Sequence, residues 1–285
     1  MERIRNSWEL GKISWSVLKS DRTLAWFPVL QAIASWIVIG VVVGLLAATG
    51  TTTDASGDRN GLEAIGYVFV FLGYVGLAFV GTYFTGALVH SANERLNGRD
   101  SKFGEGLAAA NGKLHRILPW AIVQATVSII IQSIEERAGW LGVVIARLIG
   151  GAWAVLTFLV IPIIMLEDLG PINALKRSGT LFKQTWGENL AAQIGFGLLG
   201  LVAMLPGFAV LALGIATGSE VVAIAFGVVA VLWIVLVMVV LSAMSGIYKT
   251  ALYRFVVDGK APAAFAGVDL TSSFGPKRGG RGILG

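Results

Sequence analysis

The sequence has no cysteine and only two histidines among 285 residues. The lack of cysteine excludes disulfides, thiolate metal sites and a cysteine nucleophile. It leaves the redox compartment open, because nothing is present to be oxidised. His90 and His115 stand apart, with no acids at metal-ligand spacing. No metal and no cofactor are expected. Charge is also scarce, at 14% of residues, against about 25% in an average soluble domain. No HExxH, P-loop or nucleophile elbow occurs, and no enzyme activity is expected on these grounds. None of the 17 acids lies at the centre of an apolar run. This counts against ion-coupled pumps, which place carboxylates there.

Apolar residues make up 55% of the chain. They gather into blocks at about 24–48, 62–89, 117–134, 140–166, 190–217 and 221–250. Each block is near or above the roughly 20 residues a helix needs to cross hydrocarbon. In lipid only helices and closed barrels satisfy the backbone, and the blocks lack the alternation of barrel strands. The expected fold class is therefore all-α, a polytopic membrane bundle of six transmembrane helices. The first block, ending in GLLAATG, imitates a signal peptide, but its apolar run is longer than a signal core and is read as a retained span.

The net charge of +5 would suit nucleic acid, but its placement fits a membrane better, and no nucleic-acid partner is expected. Nineteen of the 22 basic residues fall before span 1, between spans 2 and 3, between spans 4 and 5, or at and after the end of span 6. Arg59 and Arg137 fall on the other side, and Arg147 lies inside span 4. The positive-inside rule then puts both termini in the cytoplasm. Trp26, Trp120, Trp140 and Trp186 fall near span ends, where amphipathic rings favour the interface.

Each pair of spans follows a basic, amphipathic stretch. Ile4, Trp8, Gly11, Trp15 and Leu18 recur at helical spacing, opposite Arg5, Lys12 and Lys19. Phe103, Leu107, Ala110, Leu114 and Ile117 repeat the pattern, as do Leu175, Ser178 and Phe182. Such periodicity with a cationic face suits three helices lying in the headgroup layer; ordinary loops packed on the bundle are the alternative. Residues 1–250 read as one six-span membrane domain, and residues 251–285 as a small, polar, basic cytoplasmic tail, partly disordered.

The fourth span ends in EDLGPINALKRSGTLF. Pro171 suits the first turn of a helix, and Asp168 can cap or charge-match it. Glu167 and Asp168 stand within reach of Lys176, Arg177 or headgroup amines. These four residues read as a cytoplasmic hinge; acid–base catalysis by the two carboxylates would need a buried, substrate-bound setting.

That segment, with SWELGKISWSVLKSDRTLAWFP (Ser7–Pro28) and ALYRFVVDGKAPAAFAGVDLTSSFGPK, resembles an uncharacterised family of six-span bacterial and archaeal membrane proteins. The middle segment is also similar to the membrane domain attached to some glycerophosphodiester phosphodiesterases. No catalytic phosphodiesterase domain is present. The resemblance implies an architecture and a bacterial or archaeal cell membrane, and it carries no established activity.

Inside the apolar runs, Gln124, Ser128 and Gln132 share one face of span 3, and Glu135 or Glu136 extends it. Arg147 in span 4 lies about seven residues, roughly 10 Å, in from Trp140. An arginine there costs about 2.5 kcal/mol or more unless partnered, so it is expected to reach Glu135 or Glu136 and the two amides. The alternatives are a clamp between neighbouring spans, a substrate or ion path, or a lipid-phosphate contact. Gly40 and Gly44 in span 1, Gly73, Gly76 and Gly81 in span 2, and Gly200, Gly207 and Gly214 in span 5 permit close helix approach. Packing within the bundle is the first reading; a homodimer interface or a broken pore helix is the second. The expected role is a membrane-embedded interaction or lipid-organising component, with anionic headgroups and a possible protein partner or second copy. A small-solute or lipid transporter with a polar path near Arg147 is the alternative.

Overall fold

The computed structural model describes residues 2–49, 64–137, 139–186, 191–259 and 262–265. Among them every element is helical, as apolar runs without alternation require in lipid. The helices are α1 (Glu2–Ser20), α2 (Trp26–Ala48), α3 (Ala64–Leu96), α4 (Phe103–Gly112), α5 (Leu114–Arg137), α6 (Gly139–Thr157), α7 (Val160–Leu166), α8 (Pro171–Trp186), α9 (Ala191–Ala216) and α10 (Glu220–Asp258). Short 3-10 turns lie at Arg22–Ala25 and Ala263–Phe265. Five stretches are long and apolar enough to cross a membrane: Arg22–Ala48, Ile65–Leu96, Leu114–Glu136, Trp140–Leu166 and Glu220–Asp258. In α9 the apolar stretch described is Gly200–Ala216. The polar connection between spans 1 and 2 and the chain beyond residue 265 lie outside the described residues.

The chain divides into two compact units. One comprises Trp26–Ser91 and Ser101–Gly179. Here the glycines of α3 admit valines of α2. A Cβ at Gly73 would lie 2.9 Å from Val42, and one at Gly76 would lie 3.0 Å from Val38. Nothing lies within 4 Å of a Cβ at Gly40 or Gly44. Their spacing suggests packing within the bundle, but α2 turns Val38 and Val42 toward α3, and the two glycines face out.

α4 seats on the same pair. Phe103 stacks on Phe27 with ring centroids 4.8 Å apart, and Tyr83 donates to Asn111 Oδ1 at 2.9 Å. Gly106 meets Ser91, Ala87 and Phe27 so closely that no side chain fits. The helix starts with the Lys102 N–H donating to Glu105 at 3.2 Å, one half of a capping box.

α5 packs on α6, with Trp120 stacked on Trp153 at 6.0 Å. Trp120 is fully buried, so the expected interfacial position is wrong for this ring. Ala121 and Ala125 of the same helix are buried as well. Trp26 and Trp140 are exposed, and the side chain of Trp186 lies outside the described residues.

Span 4 is not one helix. It breaks at Phe158–Leu159, between α6 and α7. Pro162 is the cause: it has no N–H for the carbonyl four residues back, and its ring crowds that carbonyl.

The second unit comprises Met1–Ala25, Ala92–Asp100 and Thr180–Gly285. Its frame is the α9–α10 hairpin, turned at Gly218, which has φ 66°. Three glycines of α9, spaced seven apart, face α10. Cβ atoms at Gly200, Gly207 and Gly214 would lie 3.0 Å from Leu241, 2.9 Å from Trp233 and 2.5 Å from Phe226. Trp233 donates its indole N–H to the Ala203 carbonyl at 3.0 Å. The packing expected of these three glycines is what the hairpin shows.

α1 lies against α9 and α10. Among its described side chains, Gly11 and Leu18 of the expected apolar face are buried, but Trp15 is 48% exposed, and Ser14 and Val17 are buried in its stead. The side chains of Ile4 and Trp8 lie outside the described residues. The expected domain boundary at 250 falls inside α10, which runs to Asp258 because Ala251, Leu252 and Tyr253 are buried. Gly259, at φ 67°, ends the helix by donating to the Phe255 carbonyl at 3.0 Å, as a left-handed cap does. Arg254 pairs with Asp258 at 3.0 Å and donates to Asn97 at 2.8 Å.

Candidate functional site

Two places expected from the sequence carry charge or polarity, and both fall in the unit that holds α2 to α7. The first is the joint between α7 and α8. Glu167 ends α7, and Pro171 opens α8, whose first turn closes with the Ala174 N–H donating to Gly170 at 2.8 Å. Arg177, one of the two cations expected to pair there, donates to both oxygens of Glu167 at 3.2 and 3.3 Å.

Asp168 does not cap α8. Its backbone is left-handed, with φ 56°, and this turns the carboxylate to another joint. Lys113, between α4 and α5, donates to Oδ1, and Arg116 in the first turn of α5 donates to Oδ2 at 2.8 Å. Arg116 also donates through Nε to His115 Nε2 at 2.9 Å, a bond that needs the ring nitrogen unprotonated. Burial, and after it the charge of Arg116, hold the Lys113 ammonium below the ordinary lysine value. Two helix joints are thus tied by one aspartate. The partners stand 55 and 52 residues away, and no spacing rule links them.

The second place is the polar face of α5. Gln132 accepts a hydrogen bond from Tyr74 of α3 and donates to Glu136 at 3.1 Å. Gln124 is half-buried and Ser128 exposed. Among the described residues neither makes a side-chain hydrogen bond. Arg147 does not join this face: it is exposed on α6, and no described ion pair links it to Glu135 or Glu136. The reason is rotational. In this part of α6 the buried positions are Gly142 and Ala146, and Arg147 lies about 100° further round from Ala146, beside the exposed Val144 and Leu148. Tyr74 occupies Gln132 instead. A tyrosine inside an apolar run carries no periodic signal, and the sequence reading missed it.

A cavity of about 310 Å³ lies between α2 and α3, lined by Ile37, Val38, Val41, Val42, Leu45, Phe69 and Leu72. Its walls are apolar, and none of the polar residues above reaches it.

Ordinary water-soluble surfaces do not carry Trp36, Trp140, Leu148, Val221 and Ile224 at 68–78% exposure; such faces need lipid or a partner. With five helices long enough to cross, the chain is an all-helical membrane protein. It belongs to a family of unknown function, DUF6159, whose profile matches residues 64–263. No curated protein and no solved structure matches it. The similarity to the phosphodiesterase membrane domain gains no support from these comparisons.

Proposed function

We propose that this chain is a six-span, multi-pass protein with both termini in the cytoplasm, and that it organises anionic lipid through α1, α4 and α8 lying in the headgroup layer. The observation that supports this most is what these helices bury. Gly11 and Ser14 of α1, Gly106 and Ala110 of α4, and Ala174 and Ser178 of α8 are buried small residues. Val17, Leu18 and Leu181 are buried with them, whereas Trp15 and Ile172 stay outside, at 48% and 55% exposure, beside the exposed Lys12, Lys19 and Lys176. A helix seated on the bundle by one face, with a large apolar side chain and lysines left on its outer flank, suits the acyl–headgroup boundary. A peptide of residues 1–20 is expected to become helical on phosphatidylglycerol vesicles, with blue-shifted Trp emission, and to bind less as salt rises. A peptide that stays unfolded on those vesicles would sink the lipid-seated reading of α1.

Arg147 is the observation that favours a second reading, a solute or lipid transporter. Its charge stands on an apolar flank of α6 without a described partner. Under the leading reading the guanidinium merely snorkels, and Arg147→Leu removes an intramembrane charge of about 2.5 kcal/mol or more at mid-span. The variant should then fold and show a detergent melting temperature at or above wild type, and Gln124→Leu should change it little. Loss of solute flux in proteoliposomes from either variant, with the fold intact, would move the assignment to transport.

A further inference from the structure

The ion pair at the joint of α4 and α5 has the form of an occupied anion site. Lys113 and Arg116 each take a different oxygen of the Asp168 carboxylate. The two free oxygens of a phosphodiester offer the same pair of acceptors to the same two donors. The cations are mostly covered, with side chains 23% and 21% exposed, whereas Asp168 is 55% exposed. The acid is therefore the outermost group of the three. Its left-handed backbone, φ 56°, is a conformation aspartate adopts only at some strain, and the two ion pairs hold it there. His115 Nε2 accepts a hydrogen bond from the Arg116 Nε–H, which helps to orient the guanidinium toward its anion. Charge is not balanced at the two joints: Lys113, Arg116, Lys176 and Arg177 stand against Glu167 and Asp168. Lys113 stands one residue before the apolar stretch Leu114–Glu136, Arg116 lies in its first turn, and Asp168 follows the end of Trp140–Leu166 by two residues, the level at which headgroup phosphates run.

We propose that Lys113 and Arg116 form a binding site for the phosphate of an anionic phospholipid, and that Asp168 is an internal counterion standing where that phosphate binds. This rests on the lipid-organising reading above and names its ligand. Removing the counterion strengthens the site, and removing the cations abolishes it.

The test uses the full chain in nanodiscs of mixed phosphatidylglycerol and phosphatidylcholine, with retained lipid counted by native mass spectrometry after extraction. Asp168→Gly is the informative variant, because glycine accepts the left-handed backbone and the fold is kept. Phosphatidylglycerol retention should rise by about fivefold, the upper end for a partly exposed ion pair. Asp168→Asn should move it in the same direction. Lys113→Gln with Arg116→Gln should lose the preference for phosphatidylglycerol while circular dichroism stays helical. No gain in either Asp168 variant overturns the site, whatever the wild-type chain retains, and leaves Asp168 a clamp between joints. A wild-type chain with no phosphatidylglycerol preference instead counts against the broader lipid reading. A third arm adds inorganic phosphate to Asp168→Gly in pure phosphatidylcholine nanodiscs. Thermal protection there equal to that from phosphatidylglycerol would make the ligand a free anion and overturn the lipid assignment.

Discussion

Gly106→Ala is expected to destabilise the chain strongly, and Gly104→Ala, two residues earlier on the same helix, to stabilise it. Both changes add one methyl group to α4. At Gly104 nothing lies within 4 Å of the new Cβ. Alanine there gains helix propensity worth up to about 1 kcal/mol over glycine. At Gly106 the new Cβ would stand 2.5 Å from Ser91 Oγ, 2.7 Å from Phe27 Cζ and 2.9 Å from the Ala87 carbonyl oxygen. Overpacking costs about 1–3 kcal/mol where side chains can give way. The Ala87 oxygen is backbone, so α3 or α4 must shift as a body, and the Phe27–Phe103 stack shifts with them. Fluorescence-detected size exclusion and melting temperature in one detergent would compare the pair. Equal effects of the two alanines would show that α4 does not seat on Gly106.

Single-cysteine labelling is expected to be all-or-none. The absence of native cysteine removes background. Ser56→Cys and Ser219→Cys should react in intact cells with a membrane-impermeant maleimide, and Ser272→Cys should react only after lysis. Ser219 is exposed in the turn between α9 and α10, so reagent can reach it. Positions 56 and 272 lie outside the described residues, and their sidedness rests on the distribution of basic residues. External labelling of Ser272→Cys would overturn the arrangement with both termini inside.

Much of the architecture is legible in the sequence because lipid imposes it. Runs of apolar residues can satisfy their backbones only as helices, and the helices come close to the expected limits. The α9 glycines are legible too, since a seven-residue repeat returns to nearly one face of a helix. The same logic misleads at Gly40 and Gly44. Spacing places two residues on one face but does not say which face meets a neighbour. α1 shows a related difficulty. The spacing that selects Gly11 and Leu18, both buried, also selects Trp15, which is exposed, and passes over Ser14 and Val17, which are buried. The candidate site divides along sequence distance. Glu167 with Arg177 is local and was expected. Asp168 with Lys113 and Arg116 joins residues more than 50 apart, and it needs a left-handed aspartate that no single-sequence rule supplies. Arg147 was placed at a plausible depth but on the wrong side of its helix, because a 100° error in rotation is invisible to a depth estimate.

The break in span 4 gives that span the mechanics of a lever. α7 is its short, fixed arm, with Val160, Pro162, Ile163, Ile164 and Met165 all buried. α6 is the long arm, and Leu141, Val144, Ile145, Leu148 and Ile149 stand exposed along it. Between them Pro162 brings no N–H to the helical ladder, so the ladder is already interrupted at this fulcrum. A tilt of the long arm, together with α5 packed on it, answers a change in bilayer thickness, while Met165 seats the short arm against Gly86 of α3, whose Cβ position lies 3.0 Å from its sulfur.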